Sequence, residues 1–368
     1  MRNQAMAGGR LRIAVVAPLY VRVPPLRYGG TERVVFELTE ELVRRGHDVT
    51  LFAAGTSQTS ARLRCGSPRP LWELDQHERL PYEIGQVEDV ISNWSRFDVI
   101  HWHLEYIHWL VADAVPVPSV TTLHGRVEGA SVRRLIARHR AEPLVSISEG
   151  QRLPTTDLAA NWVATVYNGL DLARMYPLGS GDGGYLAFVG RSSPEKGIAT
   201  AINVAKRVGM PIKIAARIGR GDVAYHESEV VPLLDNPLVE WLGEVTDSEK
   251  VALLSHAAAL LMPIEWDEPF GLAFIESLAA GTPVITRARG ALPELMRHGR
   301  HGFFADSEDE LVAACQRCGS IDRAQCRAWA ISRFDVSRMT DDYEAVYRRI
   351  IESAAAGLAA AEPDARSD

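Results

Sequence analysis

Residues 11–54 read LRIAVVAPLYVRVPPLRYGGTERVVFELTEELVRRGHDVTLFAA, and their apolar pattern sets the fold class. The first part is a short apolar run with the length and β-branching of a buried parallel strand. Val34, Leu38 and Leu42 then recur every fourth residue, which predicts a helix with one buried face that ends at Gly46. HDVTLFAA supplies the next strand. A strand, a helix and a second strand make a βαβ unit, which predicts a doubly wound parallel sheet.

The same alternation continues along the chain. Further strands are predicted at 97–102, 117–123 and 144–147, and a turn-rich stretch typical of a linker follows them. The pattern then starts again, with the strands YLAFVG, PIKIAA, LVEWLG, AALLMP and TPVITR. The parts predicted in this way are an N-terminal Rossmann-like domain at 10–170, a linker at 171–183, a C-terminal Rossmann-like domain at 184–330, a helix at 331–352 that packs back toward the N-terminal domain, and a disordered tail at 353–368.

Composition limits the class of protein. A chain of 368 residues is too long for one ordinary core and suits two domains. The net charge of −7 argues against nucleic acid as a partner, because that binding relies on Lys and Arg to neutralise phosphates. No apolar run approaches the ~20 residues that span a bilayer, and MRNQAMAGGR lacks the apolar core of a secretory signal. These features predict a cytoplasmic protein and leave open a peripheral position at the inner face of the membrane.

The stretch EWDEPFGLAFIESLAAGTPVI at 265–285 is the most informative about function. Glu268 follows a strand and precedes a helix that begins near Gly271, where free backbone N–H groups suit anions and sugar hydroxyls. Glu276 lies near the beginning of that helix, where it could reach a ribose. Either glutamate alone would be explained by the preference of carboxylates for a helix N-terminus. The loop around Pro269 has no evident packing purpose, and this favours a functional interpretation of the whole stretch.

A second candidate is the loop in FVGRSSPEKG, between a strand and a helix of the second domain. Arg191 and Lys196 flank this loop. Two cations at such a position suit a diphosphate, whose negative charge grows as its bond to a sugar breaks. Taken alone, the pair would be better explained as solvated side chains of a surface loop, and its position after the first strand of the second domain is what favours the functional interpretation.

Two further candidates belong to the first domain. The loop at 21–33 is longer than an ordinary βα connection; in it Gly30 allows close approach of the backbone to a ligand and Thr31 offers a hydroxyl. His124 ends a predicted strand of the first domain, where it would face the cleft expected between the two domains. The loop lacks a G-x-G-x-x-G fingerprint, which argues against a nicotinamide enzyme.

The sequence predicts no metal site. His101 and His103 share one face of a strand, but no third ligand is evident. Cys315, Cys318 and Cys326 fall in a helical stretch without a fourth ligand, so we interpret them as reduced thiols.

The segment 126–140 is basic and has apolar residues along one side. It is a candidate for contact with anionic lipid, and an ordinary solvated helix face is the alternative.

Together these motifs resemble family 4 of the glycosyltransferases, enzymes of the GT-B fold that include phosphatidylinositol mannosyltransferases and sucrose-phosphate synthases. GT-B enzymes have two doubly wound Rossmann-like domains that face each other across a cleft. The resemblance runs from Leu11 to about Ile350. The family's E-x7-E signature is matched by Glu268 and Glu276. Arg191 and Lys196 match the family's donor loop, and YGGTE matches its glycine loop. His124 matches its histidine, and NGLD matches its linker.

The resemblance implies a retaining glycosyltransferase, expected to be a hexosyltransferase, that needs neither cofactor nor metal. It would move a sugar from a UDP- or GDP-linked donor on the C-terminal domain to an acceptor on the N-terminal domain, such as a lipid, a glycan or a small metabolite. The residues that it implies as catalytic are Glu268, His124, Arg191 and Lys196. Those that it implies bind the donor are Gly30, Thr31, Trp241, Leu242, Pro269, Phe270, Gly271, Leu272 and Glu276, with Glu276 on the ribose and the backbone around 240–242 on the base.

Two departures from the family pattern affect the expected donor preference. Ala291 stands where a second glycine often follows TPVITRARG, and Ala216 stands where a glycine is usual. Two alternatives to the transferase stay open, a GT-B nucleotide-sugar epimerase and a catalytically silent nucleotide-sugar-binding protein. The four charged motif residues argue against the silent protein.

Overall fold

The computed structural model describes residues 9–361, which form two parallel β-sheets flanked by helices. The strands of the first sheet are β1 Arg12–Val16, β2 Asp48–Ala54, β3 Arg62–Ser67, β4 Val99–Trp102, β5 Ser119–Leu123, β6 Leu144–Ser146 and β7 Trp162–Thr165. Those of the second sheet are β8 Leu186–Arg191, β9 Ile212–Arg217, β10 Val239–Gly243, β11 Ala259–Leu261, β12 Val284–Thr286 and β13 Gly302–Phe304. The α-helices are α1 Gly30–Arg44, α2 Gln76–Ser92, α3 Ala130–Arg138, α4 Glu149–Arg152, α5 Leu172–Met175, α6 Ile198–Val208, α7 Val223–Tyr225, α8 Val231–Leu234, α9 Asp247–His256, α10 Leu272–Ala279, α11 Leu292–Leu295, α12 Glu308–Arg317, α13 Arg323–Phe334 and α14 Val336–Ala361.

Both sheets have the strand order of a doubly wound fold. The first runs β3-β2-β1-β4-β5-β6-β7 and the second runs β10-β9-β8-β11-β12-β13. The central pairs are parallel in both, β1 with β2 and β4, and β8 with β9 and β11. The predicted pair of doubly wound domains is confirmed. In such sheets the strand order reverses beside the first strand, and ligands bind at the carboxyl ends there.

The apolar periodicity of the sequence builds the two cores. Ile13 of β1 is fully buried and shares a cluster with Val34 and Leu38, the stripe that predicted α1. In the second domain Phe188 of β8 and Ile202 of α6 belong to one large buried cluster. Each sheet therefore has a helix packed on it by the same residues that identified the helix in the sequence.

The last two helices belong to different domains. Helix α13 packs against α10 of the second domain, whereas α14 crosses back and packs against α1 of the first. Tyr343 and Tyr347 of α14 are fully buried there. The prediction that 353–368 is disordered was wrong for 353–361, because α14 continues to Ala361. Residues 353–361 read SAAAGLAAA, and alanine is the strongest helix former; residues 362–368 lie outside the described part of the chain.

Direct contacts join the two domains beside the cleft. Arg33 of α1 donates a hydrogen bond to Asp247 at the start of α9, with a distance of 2.7 Å. The backbone N–H of Gly150 in α4 donates to Glu294 of α11 at 2.6 Å. These contacts fix the carboxyl ends of both sheets opposite each other.

Candidate active site

The cleft between the domains contains two adjoining cavities. The larger has a volume of about 1000 Å³ and the smaller about 740 Å³. They share lining residues from both domains, among them Tyr28 from the loop after β1, Gly30 at the start of α1 and Gly190 near the end of β8. Together the two cavities form one continuous site along the cleft.

The larger cavity gathers most of the predicted site residues. Lys196 forms an ion pair with Glu268, although the two are far apart in sequence. The indole N–H of Trp266 also donates to Glu268 at 3.0 Å, and the ammonium of Lys196 lies 4.9 Å from the centre of the Trp266 ring. The other predicted residues that line this cavity are Gly30, Thr31, His124, Arg191, Pro269, Phe270, Gly271 and Leu272.

Glycines set the path of the loop that carries Glu268. Gly271 adopts a φ of 93° as it begins α10, a conformation that L side chains rarely adopt. Gly290 has a φ of 54°, and a Cβ there would lie 2.4 Å from backbone atoms of Glu268. The neighbouring Ala291 is fully buried and its N–H donates to the Glu268 carbonyl at 2.9 Å, so alanine fits the position where the family often has a second glycine.

The smaller cavity contains Glu276 in an ionic cluster. Lys250 of α9 donates to its carboxylate at 2.5 Å, and the hydroxyl of Tyr176 donates at 2.8 Å. Burial by itself would raise the pKa of Glu276, but the positive charges of Lys250 and Arg33 lower it below its usual value. Glu276 is therefore ionised at neutral pH and can accept hydrogen bonds from hydroxyl groups.

The second cation of the donor loop is also ion-paired. Arg191 is the last residue of β8, and it pairs with Glu195 and lies 3.5 Å from Asp222. Lys196 ends the short 3₁₀ turn Pro194–Lys196 that leads into α6. Both cations line the larger cavity, which they reach from opposite ends of one loop.

His124 approaches the larger cavity from the first domain. Its Nε2 lies 2.8 Å from Nδ1 of His103, and burial lowers the pKa of His124 to about 4. The backbone N–H groups of His124 and Gly125 both donate to Glu105, at 3.2 and 3.0 Å. At neutral pH the His124 ring is therefore uncharged. His103 contacts the ring, and Glu105 binds the backbone.

Trp241 and Leu242 do not line either cavity. Both belong to β10, and the Trp241 ring packs against His226 with 4.9 Å between ring centres. Glu244 and Val245, just beyond the strand, line the smaller cavity instead. Because ligands bind past the carboxyl end of a strand, Glu244 and Val245 are placed to face a ligand in this cavity. The expected contact of the backbone around 240–242 with the base stays a prediction.

Several residues of the smaller cavity were not predicted from the sequence. Lys250 pairs with Glu276, and Arg33 pairs with Asp247. The guanidinium of Arg217 lies over the ring of Tyr28, 4.6 Å from the ring centre. Arg33 and Tyr28 flank the glycine loop, so their proximity to that motif was an available signal. Lys250 lies in α9, outside the motifs that identified the other site residues, and nothing in the sequence indicated its role.

The structure describes no metal site. Among residues 9–361, no group of three or more His, Cys, Asp or Glu side chains is placed to hold an ion. Cys315, Cys318 and Cys326 are free and buried, and burial raises the pKa of the Cys315 and Cys326 thiols to about 12.

The basic segment 126–140 contains α3, whose apolar side faces inward. Ile136 is fully buried in a cluster with Trp109, and Leu135 packs against the same cluster. Arg133 pairs with Asp157 at 2.6 Å. Within residues 9–361, none of the helices combines the length and apolar character needed to cross a bilayer.

Comparison with known families matches both domains. The family model described as Glycosyltransferase Family 4 matches residues 28–174, and the one described as Glycosyl transferases group 1 matches residues 178–318. The first match contains the glycine loop and His124. The second contains all four charged motif residues of the cleft.

Curated relatives align with nearly the whole chain. Glycogen synthase of Mycobacterium tuberculosis (strain H37Rv) is 27% identical, over 91% of this chain and 91% of that protein. Phosphatidyl-myo-inositol mannosyltransferase of Mycolicibacterium smegmatis is 27% identical, over 88% of each chain. D-inositol 3-phosphate glycosyltransferase of Mycobacterium tuberculosis (strain H37Ra) is 26% identical, over 95% of this chain and 85% of that protein.

Solved structures share the fold. Sucrose-phosphate synthase from Thermosynechococcus elongatus superimposes with a TM-score of 0.77 at 19% identity, covering 94% of this chain and 100% of that chain. The Anabaena protein HepE, solved in complex with UDP and glucose, gives a TM-score of 0.71 at 15% identity, covering 92% and 99%.

Proposed function

The chain belongs to the family 4 glycosyltransferases, enzymes of the GT-B fold, and we propose that it is a retaining enzyme whose donor is a UDP- or GDP-linked sugar. The observation that carries the proposal is the position of the two glutamates. Glu268 lies in the larger cavity and Glu276 in the adjoining one, and each is held by a lysine from another element. One cleft thus offers separate carboxylates for the hydroxyls of a transferred sugar and of a ribose.

The cations of the donor loop support a proposal that the diphosphate of the donor binds between the transferred sugar and the ribose. Arg191 and Lys196 line the larger cavity, and both pair with carboxylates of the protein itself. An incoming diphosphate would compete for these cations and form charge-assisted hydrogen bonds with them. The same cations would stabilise the charge that develops on the leaving group. HepE, bound to UDP and glucose, is a neighbour consistent with such a donor.

We propose a transfer in which the protein supplies no nucleophile. The bond between the anomeric carbon and the β-phosphate oxygen breaks, and the acceptor oxygen bonds to the same face of that carbon. The acceptor proton passes to the β-phosphate oxygen of the departing nucleoside diphosphate. Glu268 would bind hydroxyls of the sugar, and the first backbone N–H groups of α10 would lie beside them. Metal is not required in this scheme, because Arg191 and Lys196 neutralise the diphosphate.

The acceptor site belongs to the first domain in this proposal. We propose a hydroxylated acceptor, and a lipid headgroup, a glycan and a small metabolite all satisfy that chemistry. Contact of 126–140 with an anionic membrane stays a prediction. Because Leu135 and Ile136 pack inward, such contact would depend on the arginine side chains alone.

The test is sugar transfer with defined donors and acceptors. UDP-glucose and GDP-mannose are each incubated with glycogen, phosphatidyl-myo-inositol or D-inositol 3-phosphate. These three acceptors appear in the names of three of the relatives. We expect release of nucleoside diphosphate that depends on acceptor, and an α-linked product from an α-linked donor by proton NMR. A β-linked product would overturn retention. Acceptor-independent rearrangement of the donor would identify an epimerase, and binding without turnover would identify a silent protein.

A further inference from the structure

His101 and His103 flank Trp102 at the end of β4, and His101 is a structural, hydrogen-bonded side chain of the first domain. Its Nδ1 lies 2.7 Å from the hydroxyl of Tyr347, and its Nε2 lies 2.8 Å from the hydroxyl of Thr122. Both ring nitrogens have partners, and the ring is fully buried. His101 therefore ties α14 to the first sheet and is not available to a ligand.

His103 is bonded differently, and it faces the catalytic side of the domain. Its ring is fully buried and lies 4.0 Å from the ring of His101, centre to centre. Nδ1 of His103 lies 2.8 Å from Nε2 of His124. Its other nitrogen, Nε2, is buried and has no hydrogen-bond partner among residues 9–361. Among residues 9–361, the one hydrogen-bond partner of the His103 ring is thus the histidine that lines the larger cavity.

The unpartnered nitrogen decides which ring donates in this pair. Burial lowers the pKa of His103 well below its usual value and that of His124 to about 4, so both rings are neutral and each carries one hydrogen. If His124 donated, the hydrogen of His103 would lie on Nε2, as a buried N–H without an acceptor. Orphaned buried N–H groups are rarer and more costly than bare acceptors. His103 must therefore donate from Nδ1, and Nε2 of His124 accepts.

We propose that His103 is a positioning residue that holds His124 in the tautomer with its hydrogen on Nδ1. His124 then presents a hydrogen-bond donor to an oxygen of the bound substrates, and it does not remove a proton. Glu105 completes the arrangement, because its carboxylate accepts from the backbone N–H of His124. The segment just after β4 thus fixes both the ring and the backbone of His124. The inference about substrates depends on the proposed transferase function, whereas the tautomer does not.

The tautomer is tested directly by NMR. In protein with ¹⁵N-labelled histidine, long-range proton–nitrogen correlations distinguish a nitrogen that carries hydrogen from a bare one. The His103 and His124 signals are assigned from the variants His103→Asn and His124→Gln. At pH 7 we expect hydrogen on Nδ1 of both rings. Hydrogen on Nε2 of His124 would overturn the proposal.

Kinetics test the positioning role. His103→Leu removes the donor, and we expect kcat to fall roughly three- to tenfold, the loss of one neutral hydrogen bond. His103→Asn places an amide N–H near the position of Nδ1 and should restore most of that loss. A general defect in the core would instead lower the activity of both variants equally and would overturn the role.

A matched control lies in the same domain. His108 is also buried, and its Nε2 lies 2.7 Å from the hydroxyl of Thr121, but it does not line either cavity. His108→Leu should reduce thermal stability as His103→Leu does, without the fall in kcat. An equal fall in kcat in the His108 variant would overturn the proposal. If the wild type transferred no sugar, the proposed function would fail, and the NMR result would still decide the tautomer.

Discussion

Replacing Glu276 with glutamine should weaken the binding of free UDP or GDP, whereas the same change at Glu268 should not weaken that binding. The side chain of Glu276 is buried, and it accepts hydrogen bonds from Lys250 at 2.5 Å and from Tyr176 at 2.8 Å. In the donor complex we expect this carboxylate to bind the ribose hydroxyls. A free nucleoside diphosphate carries the ribose and lacks the transferred sugar, so it reports on Glu276 alone.

The charge of the carboxylate sets the size of the effect. A hydrogen bond to a charged group contributes ~1.5–3 kcal/mol, and one between neutral groups about 0.5–1.5 kcal/mol. Glu276→Gln should therefore cost ~1–2 kcal/mol of binding free energy, which is roughly a five- to thirtyfold rise in Kd. Glu268→Gln should instead lower kcat by roughly ten- to a hundredfold, because its bonds to the sugar tighten as the glycosidic bond breaks.

The assay is isothermal titration calorimetry of UDP and GDP with the wild type and both variants, followed by steady-state kinetics with the active donor. Circular dichroism controls for folding. In Glu276→Gln the ammonium of Lys250 keeps Asp247, 3.5 Å away, as its one ionic partner among residues 9–361, so the thermal midpoint should fall as well. The titrations are therefore done well below that midpoint.

Two outcomes would refute the reasoning. Weaker nucleotide binding by Glu268→Gln, with wild-type binding by Glu276→Gln, would show that the two carboxylates serve the opposite ends of the donor. Equal losses of nucleotide affinity in both folded variants would show that the adjoining cavities do not separate the ribose from the sugar.

Gly290→Ala should lower kcat/KM by roughly a hundredfold, because its Cβ would displace the backbone of Glu268. Gly299→Ala is the control, since Gly299 also has a positive φ but a Cβ there would meet no atom within 4 Å. Burial raises the pKa of Glu37 to about 7, so the unfolded chain releases this proton at lower pH than the folded one, and stability falls as pH rises from about 4.5 to 7. Denaturant unfolding should show Glu37→Gln gaining up to about 3 kcal/mol relative to the wild type between pH 4.5 and pH 8. Nucleotide binding should survive EDTA; loss of binding that magnesium or manganese restores would refute the metal-free scheme. Co-sedimentation with anionic liposomes through 126–140 should weaken steeply with salt, and salt-independent binding would exclude an electrostatic contact.

The spacing of apolar residues along the chain was sufficient to predict the central strands and helices of both domains. The central strands β1 and β8 are apolar runs because both of their faces are buried, and helix α1 shows its buried stripe at helical spacing. The strands that the sequence analysis missed are β3, β7 and β13, and each lies at the edge of a sheet. Edge strands are partly exposed, so RLRCGS of β3 carries charged residues and lacks the apolar run.

Most of the candidate site could be predicted from short motifs. Arg191 and Lys196 lie at the end of β8 and in the loop after it, and Glu268 and Glu276 lie in the loop before α10 and in α10 itself. The doubly wound fold brings the carboxyl ends of its strands to one edge of a sheet. Trp241 lies within β10 and lines neither cavity, and the sequence does not show where that strand ends. A shift of a few residues moves a side chain from the cleft into the strand.

The sequence by itself determined the two doubly wound domains and the charged residues of the donor loop and of α10, since periodicity and short motifs are local properties of the chain. Only the tertiary structure decided which charges meet. Arg33 and Asp247 come from different domains, and His103 and His124 follow neighbouring strands, and no local pattern encodes that either pair is in contact. Whether a side chain is ionised, neutral or held in one tautomer depends on burial and on such partners, so it is fixed only when the chain has folded.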